Sequence, residues 1–124
     1  MKKDPRVYMA QILERIDRIL TFTQDGRESF FESQLLQDAA IRNLEVVGEA
    51  AKRVSEDYRD AHPMIPWRGL ASLRDVLIHQ YEGVSLDEVW RVVQDELPSL
   101  RRAIAAILPP LDVLERELAG EDEP

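Results

Sequence analysis

Residues 34–59, with the sequence QLLQDAAIRNLEVVGEAAKRVSEDYR, form the longest helical pattern in this chain. Apolar residues recur in it at intervals close to one helical turn, which is typical of a helix that buries one face. The members of this stripe are Leu35, Ala39, Leu44, Val47, Ala51 and Val54. The pattern therefore predicts one long amphipathic helix whose apolar face must be covered by other helices.

A second amphipathic helix is predicted before the long one. Asp4 followed by Pro5 supplies a capping residue and a preorganised first helical position. The apolar stripe of this helix consists of Met9, Ile12, Leu13, Ile16, Ile19 and Leu20. Gly26 is expected to end it, and Ser29 with Glu32 matches a capping box that would start the next segment.

Prolines divide the second half of the chain. Residues 62–67, HPMIPW, contain two prolines, so they break the long helix, and Pro66 then suits the opening of another helix. That helix is expected to run as far as Gly83, which permits a turn.

A third group of signals completes the predicted fold. Ser85 and Glu88 form a capping box, and Pro98 either kinks the helix that follows or begins a separate segment. The two prolines at 109–110 stop that segment, and a short helix is predicted over 111–118. We therefore expect an all-α bundle of about five helices.

Length and composition limit the kind of protein this is. The 124 residues suit one domain, predicted over 1–120 with an acidic tail over 121–124. The chain has no cysteine, which excludes disulfides and thiolate metal sites, and no apolar stretch long enough to span a bilayer. A net charge of -8 works against loose adhesion to nucleic acid. We expect a cytoplasmic protein without a metal or other cofactor.

The octet from Arg74 to Tyr81, RDVLIHQY, carries the strongest chemical signal. Arginine offers a fixed fork of donors to a phosphate, histidine titrates near neutral pH, and tyrosine supplies a hydroxyl, so the octet indicates phosphodiester or nucleotide chemistry. The alternatives are structural: Arg74 as a surface arginine paired with Asp75 or Glu82, His79 as a helix C-terminal residue, and Tyr81 as an aromatic at the core edge.

Helix geometry restricts how this octet can act. Arg74 and Tyr81 are nearly aligned and about 10.5 Å apart along a helix axis, whereas His79 is rotated by about 140° from Arg74. The helix could loosen near His79, or a second copy of the chain could bring its own octet across a two-fold axis. We favour the dimer, in which the two octets form one cleft.

The octet resembles the R-x4-H-x-Y signature of the HEPN superfamily, specifically the small HepT-like toxin ribonucleases. Three flanking segments also resemble that family in order and spacing: residues 38–52, residues 65–67 and residues 89–98. Asp75 departs from the asparagine that is commonest at that position, which bears on substrate preference.

The resemblance implies a homodimeric, metal-independent endoribonuclease, usually the toxin of a prokaryotic toxin–antitoxin pair. By this resemblance Arg74 and His79 are the catalytic residues: Arg74 holds the phosphate, and His79 acts as general base or general acid. The product would carry a 2',3'-cyclic phosphate. Asp75 would support the site by orienting His79 or Arg74, and Tyr81 by contacting RNA or positioning the histidine.

The same resemblance implies a cognate antitoxin, a minimal nucleotidyltransferase, in addition to the RNA substrate. Tyr81 resembles the tyrosine to which such antitoxins attach AMP, and the added phosphate would block an incoming RNA phosphate. The alternative function is a non-catalytic HEPN module that binds a nucleotidyltransferase partner or a nucleotide. The net negative charge favours this alternative, whereas the arginine, histidine and tyrosine together favour the nuclease.

Overall fold

The computed structural model describes residues 3–79 and 85–121, with the backbone alone at 74–79 and 121. The regular structure in these ranges is entirely helical, which confirms the predicted all-α class. Its elements are α1 (Pro5–Phe22), α2 (Arg27–Glu32), α3 (Gln34–Arg53), α4 (Glu56–Ala61), α5 (Trp67–His79), α6 (Leu86–Arg91), a π-helical segment (Val92–Glu96), α7 (Leu97–Ile107) and α8 (Leu111–Glu121).

Helix α1 begins where the sequence predicts, and it ends at Phe22, four residues before Gly26. The Asp4 carboxylate accepts a hydrogen bond of 2.9 Å from the Arg6 backbone N–H, and Pro5 occupies the first helical position. The predicted stripe also faces the core, and its fully buried members are Met9, Ile12, Ile16 and Ile19. The cap and the apolar period together therefore define this helix.

The predicted capping box at Ser29 and Glu32 is wrong. Both residues lie inside α2, which begins at Arg27 directly after Gly26. Gly26 has a φ of 97°, a conformation that glycine adopts without steric cost, so the chain turns there and enters the helix at once. The capping serine of the next helix is Ser33, whose hydroxyl accepts from the Leu36 N–H at 3.2 Å.

The long helix predicted over 34–59 is divided in two. Helix α3 ends at Arg53 because Val54 and Ser55 take up extended backbone conformations, and the Ser55 hydroxyl then caps α4 by accepting from the Tyr58 N–H at 3.4 Å. The assignment of Leu35 to the buried stripe is also wrong, since Leu35 is 78% exposed. It lies nine residues before Leu44, which is about half a turn away around the helix.

Three further helix starts follow their predicted signals, whereas the turn predicted at Gly83 lies outside the described residues. Helix α5 begins directly after Pro66, and Ser85 caps α6 by accepting from the Glu88 N–H at 3.3 Å. Pro98 lies in the first turn of α7, so it opens a separate helix as one of the two predicted outcomes. Helix α8 continues to Glu121, three residues beyond the predicted end. The division into a domain over 1–120 and a tail over 121–124 stays a prediction.

Helix α3 occupies the centre of the fold. It packs along α1 on one side and along α5 on the other, while α7 closes the bundle against α1. The core that these helices share includes Ile16 of α1, Leu44 and Val47 of α3, Leu70 of α5 and Ile104 of α7. Helix α5 is therefore held by the central helix of the bundle.

Helix α8 is attached lightly to the bundle. Its Leu114 is buried, and its Glu117 accepts a hydrogen bond of 2.5 Å from Arg6 of α1. Leu111, at its start, is 66% exposed. Within the described parts of the chain, none of the helices is long and apolar enough to cross a membrane.

Candidate functional site

The predicted catalytic residues lie on one helix. Arg74, Asp75 and His79 all belong to the C-terminal half of α5, where the backbone is α-helical without a break from Arg74 to His79. The five-residue interval therefore keeps a rotation of about 140° around the axis, as expected for a regular helix. Tyr81 lies outside the described residues, and the chemical roles of all four residues stay predictions.

The first half of α5 is firmly positioned. The Leu70 N–H donates to the Pro66 carbonyl at 3.0 Å, and the Trp67 indole N–H donates to the His62 carbonyl at 2.9 Å. Leu70 and Ile65 are both almost fully buried. The start of α5 is therefore anchored in the core.

One side of α5 borders an open groove, which we call the α5 groove. It has a volume of about 760 Å³, which lies within the range of small-molecule sites. The described residues that line it come from α5 and the segment before it, from α3, and from the stretch running from Ser85 into α7. They are Leu44, Met64, Pro66, Gly69, Leu70, Ser72, Leu73, Ser85, Glu88, Val89, Arg91, Val92, Asp95, Glu96, Leu97, Ser99, Leu100 and Ala103.

Charged groups are concentrated along one edge of the α5 groove. Arg91 donates to Glu88 at 2.5 Å and to Glu96 at 3.4 Å. The hydrogen bond from Arg91 lowers the pKa of Glu88, so this carboxylate remains ionised at neutral pH. Asp95 also lines the groove, and no ion pair to it is formed by the described residues. Glu88, Asp95 and Glu96 together outnumber the single arginine, which leaves this edge negatively charged.

The π-helical segment gives this edge its shape. A π turn is wider than an α turn, and such segments occur frequently at functional sites. Val92 and Val93 are buried in the core, whereas Asp95 and Glu96 of the same five residues reach the groove. The wide turn therefore places two carboxylates beside a buried apolar wall.

The predicted catalytic position lies on the helix face that borders the α5 groove. Ser72 lines the groove, and position 79 lies seven residues further along α5. Seven residues bring a helix back to within about 20° of the same face, about 10.5 Å along the axis. The helix face that borders the groove thus includes the position of the predicted general acid or base.

Sequence reasoning missed the charged edge of the α5 groove. Glu88 was noticed only as part of a capping box, and Arg91, Asp95 and Glu96 carried no signal in the sequence pattern. Their clustering depends on the packing of α5 against a stretch that follows it in the chain. Among the described residues, no group of three or more histidine, cysteine, aspartate or glutamate side chains could hold a metal ion.

The fold and the site place the chain among all-helical proteins that carry their candidate chemistry on a single helix. A family model described as Ribonuclease HepT-like matches residues 12–107, which include the whole octet from Arg74 to Tyr81. This chain therefore belongs to the HepT-like ribonuclease family, as its resemblance to that family predicted.

Individual relatives agree with this assignment. The protein named "Putative RNase MJ0127" of Methanocaldococcus jannaschii is 38% identical over 123 residues, which cover 98% of this chain and 96% of the relative. The "Probable ribonuclease HepT" of Thermococcus cleftensis is 41% identical over 102 residues, covering 82% of this chain and 93% of the relative.

A third relative is a longer protein. The "Gamma-glutamylcyclotransferase and putative RNase MJ0434" of Methanocaldococcus jannaschii is 42% identical over 113 residues, which cover 90% of this chain. This chain spans about half of that relative, 51% of its length. No solved structure gives a significant match to the chain.

Proposed function

We propose that this protein is a metal-independent endoribonuclease that acts through Arg74 and His79. The observation that carries the proposal is the family match over residues 12–107, because it spans the R-x4-H-x-Y octet together with the helices that support it. The relatives named as RNases are similar along most of this chain, which supports the same activity here.

The proposed reaction is an internal transesterification of RNA. A ribose 2'-hydroxyl attacks the adjacent phosphorus, the bond from phosphorus to the 5'-oxygen breaks, and the products are a 2',3'-cyclic phosphate and a 5'-hydroxyl. His79 takes the proton from the 2'-hydroxyl or gives one to the leaving 5'-oxygen. Arg74 binds the phosphate and stabilises the negative charge that grows on it in the transition state.

A homodimer would explain how Arg74 and His79 can act on the same phosphate. Arg74 and His79 lie about 140° apart on a regular helix, so one straight α5 does not direct both at one phosphate. Two copies related by a two-fold axis would bring the C-terminal halves of two α5 helices together. In this arrangement Asp75 would support the site by orienting His79 or Arg74 of the facing copy.

Regulation by an antitoxin is the second part of the proposal. We infer that the chain is the toxin of a toxin–antitoxin pair whose partner is a minimal nucleotidyltransferase that attaches AMP to Tyr81. The added phosphate would compete with RNA for Arg74 and repel the RNA backbone. Tyr81 would thus switch the nuclease off.

A non-catalytic helical module that binds a nucleotidyltransferase or a nucleotide is the second candidate function. It is favoured by the net charge of -8 and by the negative edge of the α5 groove, both of which oppose tight binding of an RNA backbone. The two functions differ in whether His79 is needed for cleavage.

Incubation of the purified protein with mixed RNA in EDTA tests the proposal. Wild-type protein should cut RNA and leave 2',3'-cyclic phosphates, and His79→Ala should cut about 10²–10⁴-fold more slowly because it lacks the proton-transfer group. His62→Ala is the matched control: it removes the only other histidine, which packs 4.5 Å from the Tyr58 ring, and it should cut at the wild-type rate.

The outcomes separate the two candidates. If His79→Ala and wild type cut equally well, the activity does not come from the proposed site. If neither cuts, and mass spectrometry shows Tyr81 without AMP, the adaptor function replaces the nuclease.

A further inference from the structure

We propose that the α5 groove is a base-binding subsite that selects guanine over uracil in the RNA strand. This inference rests on the proposed function for the identity of the strand, since the base belongs to a nucleotide close to the scissile phosphate. The groove residues themselves take no part in the proton transfers assigned to His79.

The walls of the groove suit a flat, largely apolar ring. Pro66, Leu70, Leu73 and Leu100 supply aliphatic surface, and its volume of about 760 Å³ accommodates a nucleoside. Gly69 contributes no side chain, and a Cβ placed there would meet nothing within 4 Å. A base therefore has open space beside α5 into which it can leave the strand.

The charges along the edge decide which base fits. Arg91 is engaged by Glu88 and Glu96, so its guanidinium is largely neutralised, and Asp95 remains as the carboxylate without an ion pair among the described residues. An ionised carboxylate only accepts hydrogen bonds. Guanine presents two adjacent N–H donors on its Watson–Crick edge, which match the two oxygens of one carboxylate. Uracil presents one N–H between two carbonyl oxygens, and those oxygens would face the negative charge.

The same charges keep the phosphates out of the groove. A phosphate near Glu88, Asp95 and Glu96 would be repelled, whereas a neutral base would not. The strand therefore enters the α5 groove with a base only, and its phosphate stays towards the second half of α5. Ser72 of the groove and the position of His79 share one helix face about 10.5 Å apart, which suits neighbouring nucleotides of one strand.

A partner protein is the alternative occupant of this groove. A helix with apolar anchors and a basic residue would also fit apolar walls with a negative edge. The helix face that the groove shares with the position of His79 favours the base, because an RNA strand held at that position would pass the groove. The hydroxyls of Ser72, Ser85 and Ser99 do not decide between the two occupants, since each already forms a hydrogen bond within the chain.

Nucleotide binding to the His79→Ala protein tests the inference without cleavage. Guanosine 5'-monophosphate and uridine 5'-monophosphate carry the same phosphate, so their difference in Kd, measured by calorimetry, reports on the base. We expect guanosine monophosphate to bind at least about 10-fold tighter, in line with the discrimination that a bidentate pair provides. Asp95→Asn should abolish most of this ratio because the amide replaces one acceptor by a donor.

Asp25→Asn is the matched control, since Asp25 is exposed in the turn after α1 and does not line the groove. It should keep the wild-type ratio. If the two nucleotides bind equally, or if Asp95→Asn and Asp25→Asn behave alike, the subsite assignment is overturned. A basic amphipathic peptide should displace neither nucleotide. Displacement of both nucleotides by this peptide would assign the groove to a partner protein instead.

RNA cleavage then separates this inference from the proposed function. Fragment ends from wild-type protein should be enriched in guanine next to the cut, and Asp95→Asn should cut with less enrichment. Cleavage without any base preference would overturn the subsite and leave the nuclease intact. Selective guanosine binding by a protein that never cuts RNA would overturn the nuclease and leave the subsite intact.

Discussion

The α5 groove differs sharply from a second groove on the other side of the bundle. The second one, which we call the α1 groove, lies between α1, α7 and α8 and has a volume of about 1250 Å³, against about 760 Å³ for the α5 groove. The described residues that line it are Val7, Ala10, Gln11, Leu13, Glu14, Asp17, Arg18, Thr21, Phe22, Arg101, Ala105, Leu108, Pro109, Pro110, Leu111, Leu114, Glu115 and Leu118.

The larger groove has less capacity for selective recognition. Its arginines are matched to its acids: Arg18 donates to Glu14 at 2.6 Å, and Arg101 binds the Asp17 carboxylate. Only Glu115 adds an acid to these two pairs among the lining residues. Volume is therefore a poor guide to chemistry here, because orientation and specificity of a ligand come from a few convergent polar groups.

The largest expected effect concerns the wall of the α1 groove. Leu114 is the buried anchor of α8, so Leu114→Ala should lower the free energy of unfolding by about 2–4 kcal/mol through lost apolar contact and a residual cavity. Urea denaturation followed by circular dichroism measures this change. Leu111→Ala, at a 66% exposed position of the same helix, is the control and should change stability by less than about 0.5 kcal/mol.

The Leu114→Ala variant also tests whether nucleotide binding depends on the α1 groove. The folded Leu114→Ala protein should bind guanosine monophosphate as the wild type does. Weaker binding would mean that α8 supports the α5 groove after all.

Filling each groove in turn gives the next largest effect. Gly69→Phe should weaken guanosine monophosphate binding by about 10-fold or more, about 1.4 kcal/mol, because the ring occupies the open space beside α5. Ala105→Phe places the same ring at an exposed position of the α1 groove and should leave this Kd unchanged. Equal losses in both variants would contradict the assignment of base binding to one groove.

The smallest expected effect concerns the ion pairs of the α1 groove. Asp17 and Arg101 are each nearly half exposed, so Arg101→Ala should lower the free energy of unfolding by about 0.2–1 kcal/mol, and less in high salt. Thermal unfolding at low and high salt checks this. A loss of several kcal/mol would mean that the pair is more than a surface contact.

Much of the fold could be predicted from the sequence because its signals are local. The cap at Asp4, the apolar stripe of α1, the capping serine at Ser85 and the opening of α7 near Pro98 all act within one or two turns. These four signals were placed correctly, whereas the equally local pattern at Ser29 and Glu32 was not, because the turn at Gly26 starts α2 two residues before Ser29. The break at Val54 was missed because the apolar period continues through it, and only the cap formed by Ser55 reveals the new helix.

The candidate site could be predicted only as far as its positions on one helix. The octet pattern placed Arg74, Asp75 and His79 on a single helix, and α5 contains all three. The α5 groove could not be foreseen, because it arises from the packing of α5 against residues 85–103, which a linear pattern does not encode. A change from α to π hydrogen bonding also has no compositional signature.

The π-helical segment also keeps the buried residues before and after it on the same side of the helix. Val89, Val93 and Leu97 are four residues apart and all buried, although in a regular α-helix each such step would drift by about 40° away from the core. The wider π turn absorbs this drift, so α6 and α7 each direct their own apolar stripe inward. A regular α turn through the same residues would rotate all that follows by about 100°, and Leu100 and Ile104 would leave the core, whereas deleting one residue from the segment would restore the α-helical phase and keep both inside.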